Sequence, residues 1–186
     1  MNAEQARRLF ERCGAMLTGH FELSSGRHSD VYLEKARVLE RPEVTARLAR
    51  DMASWYPAAD VVVAPAVGAI ALGFAVAQAA GARSIFAERE DGRMRLRRGF
   101  SVGPGERAVV VEDVITTGDS AREVYDLVLS GGAKCLGVAA LIDRSTAPVG
   151  FPLRASLRVE ARTWDPADCP MCRAGEPIVS PGSRRL

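Results

Sequence analysis

The chain has 186 residues, of which 47% are hydrophobic and 26% charged, and its formal net charge is +2. This length can bury one good α/β core but not two large ones, so we expect a single domain over residues 1–186. The near-neutral charge argues against dedicated nucleic-acid binding, and no apolar signal region follows Met1. We therefore expect a cytoplasmic protein with neither nucleic acid nor a membrane as its partner.

The first elements in chain order are an amphipathic helix over residues 2–17 and a polar segment over residues 19–32. The polar segment reads GHFELSSGRHSDVY, and its Ser-Gly-Arg core is typical of a turn. A polar hairpin turn therefore explains this composition as well as a ligand-binding segment does.

A strand, a turn and a helix are predicted next, between residues 61 and 80. Valines at 61–63 predict a buried strand, Pro65 to Gly68 a turn, and the alanine-rich stretch from Ala69 a helix that starts at the same sheet edge. Residues 61–82 carry no charge, but Pro65 and several glycines interrupt them, and alanine stands where a lipid-facing helix would carry leucine and phenylalanine. We expect a buried unit rather than a membrane span.

A basic segment over residues 88–99 follows a predicted strand at 84–87. Arg93, Arg95 and Arg97 alternate, so they share one face if the segment is extended. Such an arm could bring positive charge to an anionic ligand. A solvated basic hairpin and a nucleic-acid contact are the alternatives.

The most informative stretch is VVVEDVITTGDS, residues 109–120. Its β-branched run predicts a strand buried in a parallel sheet, and Ser120 with Glu123 predicts a capping box that begins a helix. A strand that leads into a helix directs free N–H groups and the positive end of the helix dipole at one spot, which favours a phosphate. Glu112 and Asp113 instead suit vicinal hydroxyls or a hydrated divalent cation. An ordinary capped turn after an acidic strand end is the structural alternative.

The last informative features are a strand over residues 133–142, an arginine after it, and a C-x-x-C pair. Arg144 can offer a bidentate fork to a carboxylate, although pairing with the adjacent Asp143 would also explain it. Cys169 and Cys172 leave a metal site, a redox pair and reduced thiols open. Because both histidines lie in the polar segment near the amino terminus, we expect a closed four-ligand metal site to require a partner chain, and we assign no metal ligand.

Residues 109–120 resemble the phosphoribosyl-pyrophosphate signature of the type I phosphoribosyltransferases. Residues 19–32 and Leu-Ile-Asp-Arg at 141–144 are similar to segments of the orotate phosphoribosyltransferases within that family. The resemblance covers about residues 19–144. It implies transfer of the phosphoribosyl group from phosphoribosyl pyrophosphate to orotate, which gives orotidine 5′-monophosphate and pyrophosphate in pyrimidine biosynthesis.

The resemblance also implies an architecture and partners. The expected fold is α/β, with a mostly parallel central sheet flanked by helices. A core of roughly residues 41–149 would be covered by a small hood of roughly residues 1–40 and 150–186. The expected cofactor is Mg²⁺ bound mainly through the substrate, and the expected assembly is a homodimer with a shared active-site loop.

Individual roles follow from the same resemblance. Phosphoribosyl pyrophosphate would be bound by Glu112, Asp113, Val114, Ile115, Thr116, Thr117, Gly118, Asp119 and Ser120. Orotate would be bound by Ser24, Tyr32, Thr116 and Arg144, and catalysis would involve Asp113, Arg89 and Arg93. Gly68 departs from the family, whose orotate enzymes commonly have a lysine there, so the pyrophosphate would rely on backbone amides, Mg²⁺ and residues from elsewhere.

Two other functions remain open. One is phosphoribosyl transfer to a different base, and the other is a non-catalytic regulator that senses phosphoribosyl pyrophosphate. A regulator of this kind would require an added DNA-binding domain or a large basic face, and neither is evident in the sequence.

Overall fold

The computed structural model describes residues 1–23 and 25–181. Its helices are α1 (Ala3–Arg12), α2 (Ala36–Leu39), α3 (Pro42–Ser54), α4 (Ile70–Ala80), α5 (Asp119–Ser130) and α6 (Pro170–Arg173). Its strands are β1 (Met16–Glu22), β2 (His28–Leu33), β3 (Val61–Pro65), β4 (Arg83–Glu90), β5 (Arg93–Leu96), β6 (Arg107–Ile115), β7 (Lys134–Asp143), β8 (Leu153–Arg158) and β9 (Thr163–Trp164).

Six of the strands form the main sheet, in the order β5-β4-β3-β6-β7-β8. Every neighbouring pair is parallel except β4 and β5, which form an antiparallel hairpin at one edge. The predicted α/β fold with a mostly parallel central sheet is confirmed. All the parallel strands end at the same edge, and in such sheets that edge is where ligands bind.

Helices cover both faces of the main sheet because successive strand residues point to opposite sides. Val62 packs into a core with residues of α1, α3 and α4, whereas Val61 and Val63 pack into a second core with residues of α5. All three valines are fully buried, and each such burial stabilises the fold by about 1.5–3 kcal/mol. The uninterrupted valine run therefore arises because both sides of the strand are covered.

A second sheet of three strands, β1-β2-β9, is here called the hood. Its pairs are antiparallel, and His28 lies opposite Trp164, so the hood joins the two ends of the chain. The predicted hood boundary at residue 150 differs from the structure, because β8 pairs with β7 in the main sheet. Helix α1 was also predicted to belong to the hood. Its buried Leu9 and Phe10 instead belong to the same core as residues of the main sheet.

Helix α5 begins without the predicted capping box. Gly118 is the residue before its first turn, at φ +87°, and no side chain caps the helix. The Glu123 carboxylate instead accepts hydrogen bonds from Arg89 and from the Met94 amide of the hairpin. The N–H groups of the first turn therefore remain available to another acceptor.

No helix in the described ranges combines the length and the apolar character needed to cross a membrane.

Candidate active site

A cavity of about 350 Å³, here called the main cavity, opens at the carboxyl ends of β3 and β6. All nine consecutive residues predicted to form one binding site, Glu112 to Ser120, line it. The other lining residues are Lys35, Pro65, Ala66, Gly68, Met94 and Ala121. The sequence signature is therefore one continuous wall of a single cavity.

The loop of residues 114–120 presents a row of unused N–H groups. Within the described residues, no acceptor is found for the amides of Thr116, Thr117, Gly118, Ser120 and Ala121. They surround the amino end of α5, where the helix dipole is positive, so the loop is built to bind an anion. The Thr117 hydroxyl donates to Asp119 at 2.8 Å, which gives that carboxylate a partner inside the loop.

Gly118 is required in this loop by its conformation and its surroundings. Its φ of +87° is one that L side chains rarely adopt, and a Cβ would lie 3.1 Å from Val149. The turn that aims the amides into the cavity therefore depends on a residue without a side chain.

Two buried carboxylates lie beside the loop. The Glu112 carboxylate accepts from the Asp113 amide at 2.9 Å, and the Asp113 carboxylate accepts from the Val114 amide at 2.6 Å. Burial first, and then the charge of Asp113, raise the pKa of Glu112 to about 8. At neutral pH the free site therefore holds a protonated Glu112 next to Asp113.

Lys35 supplies a positive charge that the sequence analysis missed. It follows β2, and its amine forms an ion pair with the Asp113 carboxylate across the main cavity. A Cβ on Gly68 would lie 2.8 Å from the Lys35 amine and would overlap the Asp113 carboxylate. Lys35 therefore places a positive charge beside position 68, although it comes from the hood side of the chain. Lys35 is one of only two lysines in the chain, and it lies three residues beyond the 19–32 segment, which is the signal that could have found it.

Arg144 lines an adjoining cavity of about 570 Å³, the side cavity, which shares Thr116 with the main cavity. Asp143 does not neutralise Arg144, because its carboxylate lies 3.6 Å from Arg158 and accepts from the Ser145 amide at 2.8 Å. No described residue forms an ion pair with Arg144. Its guanidinium is therefore free to bind an anionic ligand beside the main cavity.

Tyr32, which was predicted to bind orotate, lines neither of these cavities. Tyr32 lines a separate cavity with Cys13 and Arg41, and its hydroxyl lies 3.5 Å from Glu34. Ser24 lies outside the described residues.

The basic arm is a hairpin, β4–β5, beside the main cavity. Arg89 is exposed and donates to Glu123 at 2.9 Å, so it must leave that partner to reach a ligand. Arg93 is exposed and forms no ion pair within the described part of the chain. Arg95 and Arg97 both pair with Glu90, and only Met94 of the hairpin lines the main cavity.

The cysteine pair contradicts the expectation that four metal ligands would need a partner chain. Cys169 and Cys172 lie beside His20 and His28 of the same chain, and the four donor atoms are within 4.8 Å of one another. Sequence spacing could not show this, because the hood brings together segments about 150 residues apart.

Comparisons with known proteins support what the geometry indicates. The family model of the phosphoribosyl transferase domain matches residues 39–149. The orotate phosphoribosyltransferase of Desulforamulus reducens is 46% identical over 190 residues, which cover all of both chains. Among solved structures, orotate phosphoribosyltransferase from Aeropyrum pernix has a TM-score of 0.67 at 24% identity, covering 82% of this chain and 93% of its own. Adenine phosphoribosyltransferase from Rhodothermus marinus has a TM-score of 0.65 at 20% identity, covering 85% of this chain and 100% of its own.

The two structural likenesses show the fold alone, since enzymes named for different bases share it about equally well. The domain match and the amide-lined cavity at the strand ends define the class, a phosphoribosyltransferase domain. Full-length identity then decides within the class: the chain belongs to the orotate phosphoribosyltransferase family.

Proposed function

We propose that this protein transfers the phosphoribosyl group from phosphoribosyl pyrophosphate to orotate, giving orotidine 5′-monophosphate and pyrophosphate. The observation that carries the proposal is that residues 112–120 form one wall of the main cavity, with Arg144 in the side cavity that adjoins it at Thr116. An anion-binding loop, a carboxylate pair and an unpaired arginine correspond to the 5′-phosphate, the ribose and the base carboxylate.

The sugar end is held by complementary groups. The free amides from Thr116 to Ala121 bind the 5′-phosphate oxygens, and the Thr116 and Ser120 hydroxyls add donors. Glu112 and Asp113 face the ribose hydroxyls, to which they can donate or accept according to their protonation. This arrangement fixes the C1′ carbon between the two cavities, and such positioning lowers the barrier to substitution.

The leaving pyrophosphate gains negative charge as its bond to C1′ breaks with both electrons. Lys35 lines the main cavity. Once the ribose engages Asp113, the Lys35 amine is free to pair with the diphosphate. Arg89 and Arg93 of the hairpin can add charge if the hairpin closes. The orotate ring nitrogen then forms the new bond to C1′, which carries positive charge in the transition state, and the proton of that nitrogen leaves to solvent or to the departing pyrophosphate.

Mg²⁺ fits this site as a substrate-bound ion. Asp113 is already paired with Lys35, and Glu112 has a raised pKa, so the protein offers too few free oxygens for an all-protein magnesium site. Substrate oxygens and waters would hold most of the coordination sites of the ion, which would neutralise the diphosphate.

We further propose a homodimer in which the hairpin reaches the partner's site. The outer face of α4 supports this, because its exposed residues Ala71, Phe74 and Gln78 carry no charge and Phe74 is 62% exposed. The four cysteines form no disulfide, which supports a reducing compartment such as the cytoplasm.

The activity is tested by mixing purified protein with orotate, phosphoribosyl pyrophosphate and Mg²⁺ and following the loss of orotate absorbance. Uracil and hypoxanthine are the control bases. Turnover of orotate, but not of uracil or hypoxanthine, supports the proposal. Preferential use of another base, or binding of phosphoribosyl pyrophosphate without turnover of any base, contradicts it and favours one of the alternatives.

The shared hairpin is tested by mixing Asp113→Asn and Arg93→Ala variants, each of which should be inactive alone. If Arg93 acts in the partner's site, random mixed dimers recover about a quarter of native activity. No recovery in a sample shown by mass to contain mixed dimers would place Arg93 in its own subunit's site.

A further inference from the structure

His20, His28, Cys169 and Cys172, here called the Cys–His cluster, lie in the hood and play no part in the proposed reaction. The first three side chains are buried, and Cys172 is exposed. His20 belongs to β1, His28 to β2, and the cysteines flank the start of α6. The cluster therefore joins three separate segments of the hood.

Ordinary hydrogen bonding does not account for the distances in the cluster. His20 Nε2 lies 3.0 Å from His28 Nδ1, 3.5 Å from Cys169 Sγ and 3.6 Å from Cys172 Sγ. A ring nitrogen has either one hydrogen or one lone pair, so it can satisfy only one of these three neighbours. Four donor atoms converge on a point between them, which a single cation would satisfy together.

Most of the spacings are close to those around a tetrahedral zinc ion, and all four donor atoms lie within 4.8 Å of one another. With Zn–S near 2.3 Å and Zn–N near 2.0–2.1 Å, tetrahedral geometry requires about 3.5 Å between sulfur and nitrogen and about 3.3 Å between the two nitrogens. Three of the four sulfur–nitrogen distances are 3.5 Å and 3.6 Å, from His20 to Cys169 and Cys172, and 3.3 Å, from Cys172 to His28. The nitrogen–nitrogen distance is 3.0 Å, about 0.3 Å below the tetrahedral value.

The surroundings of His20 orient it as a ligand. Its Nδ1 lies 2.9 Å from the Glu176 carbonyl oxygen. A carbonyl oxygen can only accept, so Nδ1 carries the hydrogen. The lone pair on Nε2 is then directed at the cluster. Ligating histidines in metal sites commonly have such a partner on the second nitrogen. The Val179 amide also donates to the His20 carbonyl at 2.9 Å, which holds the chain end against β1.

We propose that the Cys–His cluster is a structural Zn²⁺ site. Two thiolates and two imidazoles in a closed set of four select zinc over the oxygen-seeking Mg²⁺ of the reaction. His20 and His28 bracket the turn between β1 and β2, so the ion fixes both ends of that turn and ties α6 to it. Its role is to hold the hood in place, and it takes no part in the chemistry.

Zinc content of the full-length protein, purified without chelators, tests the proposal directly. One zinc per chain is expected by elemental analysis, falling to background in Cys172→Ser and His28→Ala variants. Cys13→Ala is the matched control, because it removes a buried free thiol outside the cluster and should keep the zinc. Reconstitution with Co²⁺ should give the visible absorption of a tetrahedral cobalt site with thiolate ligands.

A zinc-free native protein that also fails to bind Co²⁺ would overturn the proposal, as would zinc retained by Cys172→Ser. A Cys169–Cys172 disulfide in the freshly purified, zinc-free protein would instead identify a redox pair. Because Cys172 is exposed, its serine variant should fold, and circular dichroism checks this. Failure of the orotate assay would leave the zinc result unaffected, so the two proposals are tested separately.

Discussion

Lys35 is the cationic side chain among the described residues that line the main cavity. It neutralises Asp113 in the free protein, and it occupies the space beside Gly68 where a side chain would otherwise project. Its positive charge also favours ionisation of Glu112, although burial outweighs it. One hood residue therefore adjusts both carboxylates and is placed to meet the leaving group.

Replacing Lys35 with methionine keeps the apolar stem and removes the charge. We expect kcat/KM for phosphoribosyl pyrophosphate to fall by about 10- to 150-fold, which is the equivalent of a charged hydrogen bond of about 1.5–3 kcal/mol. Steady-state kinetics measure the effect. Lys134→Met is the control, because this other lysine is exposed at the opposite ends of the strands. An unchanged KM and kcat would remove Lys35 from the reaction.

Arg144 should determine recognition of the base carboxylate. Arg144→Ala is expected to raise KM for orotate by about 10- to 100-fold with little change in binding of phosphoribosyl pyrophosphate, because only the orotate contact is lost. Arg47→Ala, which removes an exposed arginine on α3, should behave as native. Equal losses for both substrates would count against the assigned role.

At the scale of elements, the β4–β5 hairpin is tethered to α5 by one side chain. Glu123 accepts from the Arg89 guanidinium and from the Met94 amide, whereas a capping box would have turned it back on its own helix. This tether holds the hairpin next to the main cavity while leaving Arg93 exposed.

Glu123→Ala should release the hairpin. The Met94 amide loses its acceptor, so we expect its hydrogen exchange to accelerate, with little change in the core strands. Exchange measured by mass spectrometry on peptides covering 89–97 checks this. Glu90→Ala is the control, because Glu90 pairs with Arg95 and Arg97 through side chains only. Equal protection in native protein and Glu123→Ala would show that the tether does not restrain the hairpin.

Sequence patterns predicted the elements whose causes are local. The valines of β3 and β6 identified strands because a doubly covered strand requires an apolar run, and Gly118 marked the turn into α5. The predicted capping box does not form, because Glu123 accepts hydrogen bonds from Arg89 and Met94 of another element. Lys35 and the Cys–His cluster were missed for the same kind of reason, since their neighbours are set by how the hood folds over the sheet.

At the scale of the whole molecule, the buried carboxylate makes stability depend on pH. The pKa of Glu112 is about 8 in the folded protein, against an ordinary value of 4.5. Between these values the folded state binds more protons than the unfolded state, so this group lowers the free energy of unfolding as pH rises from about 4.5 to 8. The slope from one group is at most about 1.4 kcal/mol per pH unit.

Glu112→Gln should remove that slope. Urea unfolding is measured at pH 5, 6.5 and 8. As the pH rises, the free energy of unfolding should fall less in the variant than in the native protein, with the largest difference at pH 8. Glu90→Gln, at a half-exposed surface position, should follow the native profile. Parallel profiles for native protein and Glu112→Gln would mean that Glu112 is ionised throughout.

The pairing of β9 with β2, and of Val179 with Phe21, has a consequence for synthesis on the ribosome. The main sheet is complete once β8 has emerged, but the hood waits for residues translated after it. A nascent chain therefore builds its phosphate-binding edge first and acquires the cover only near the end of translation. Truncation after residue 160 should accordingly yield a folded sheet whose amino-terminal hairpin has lost its third strand.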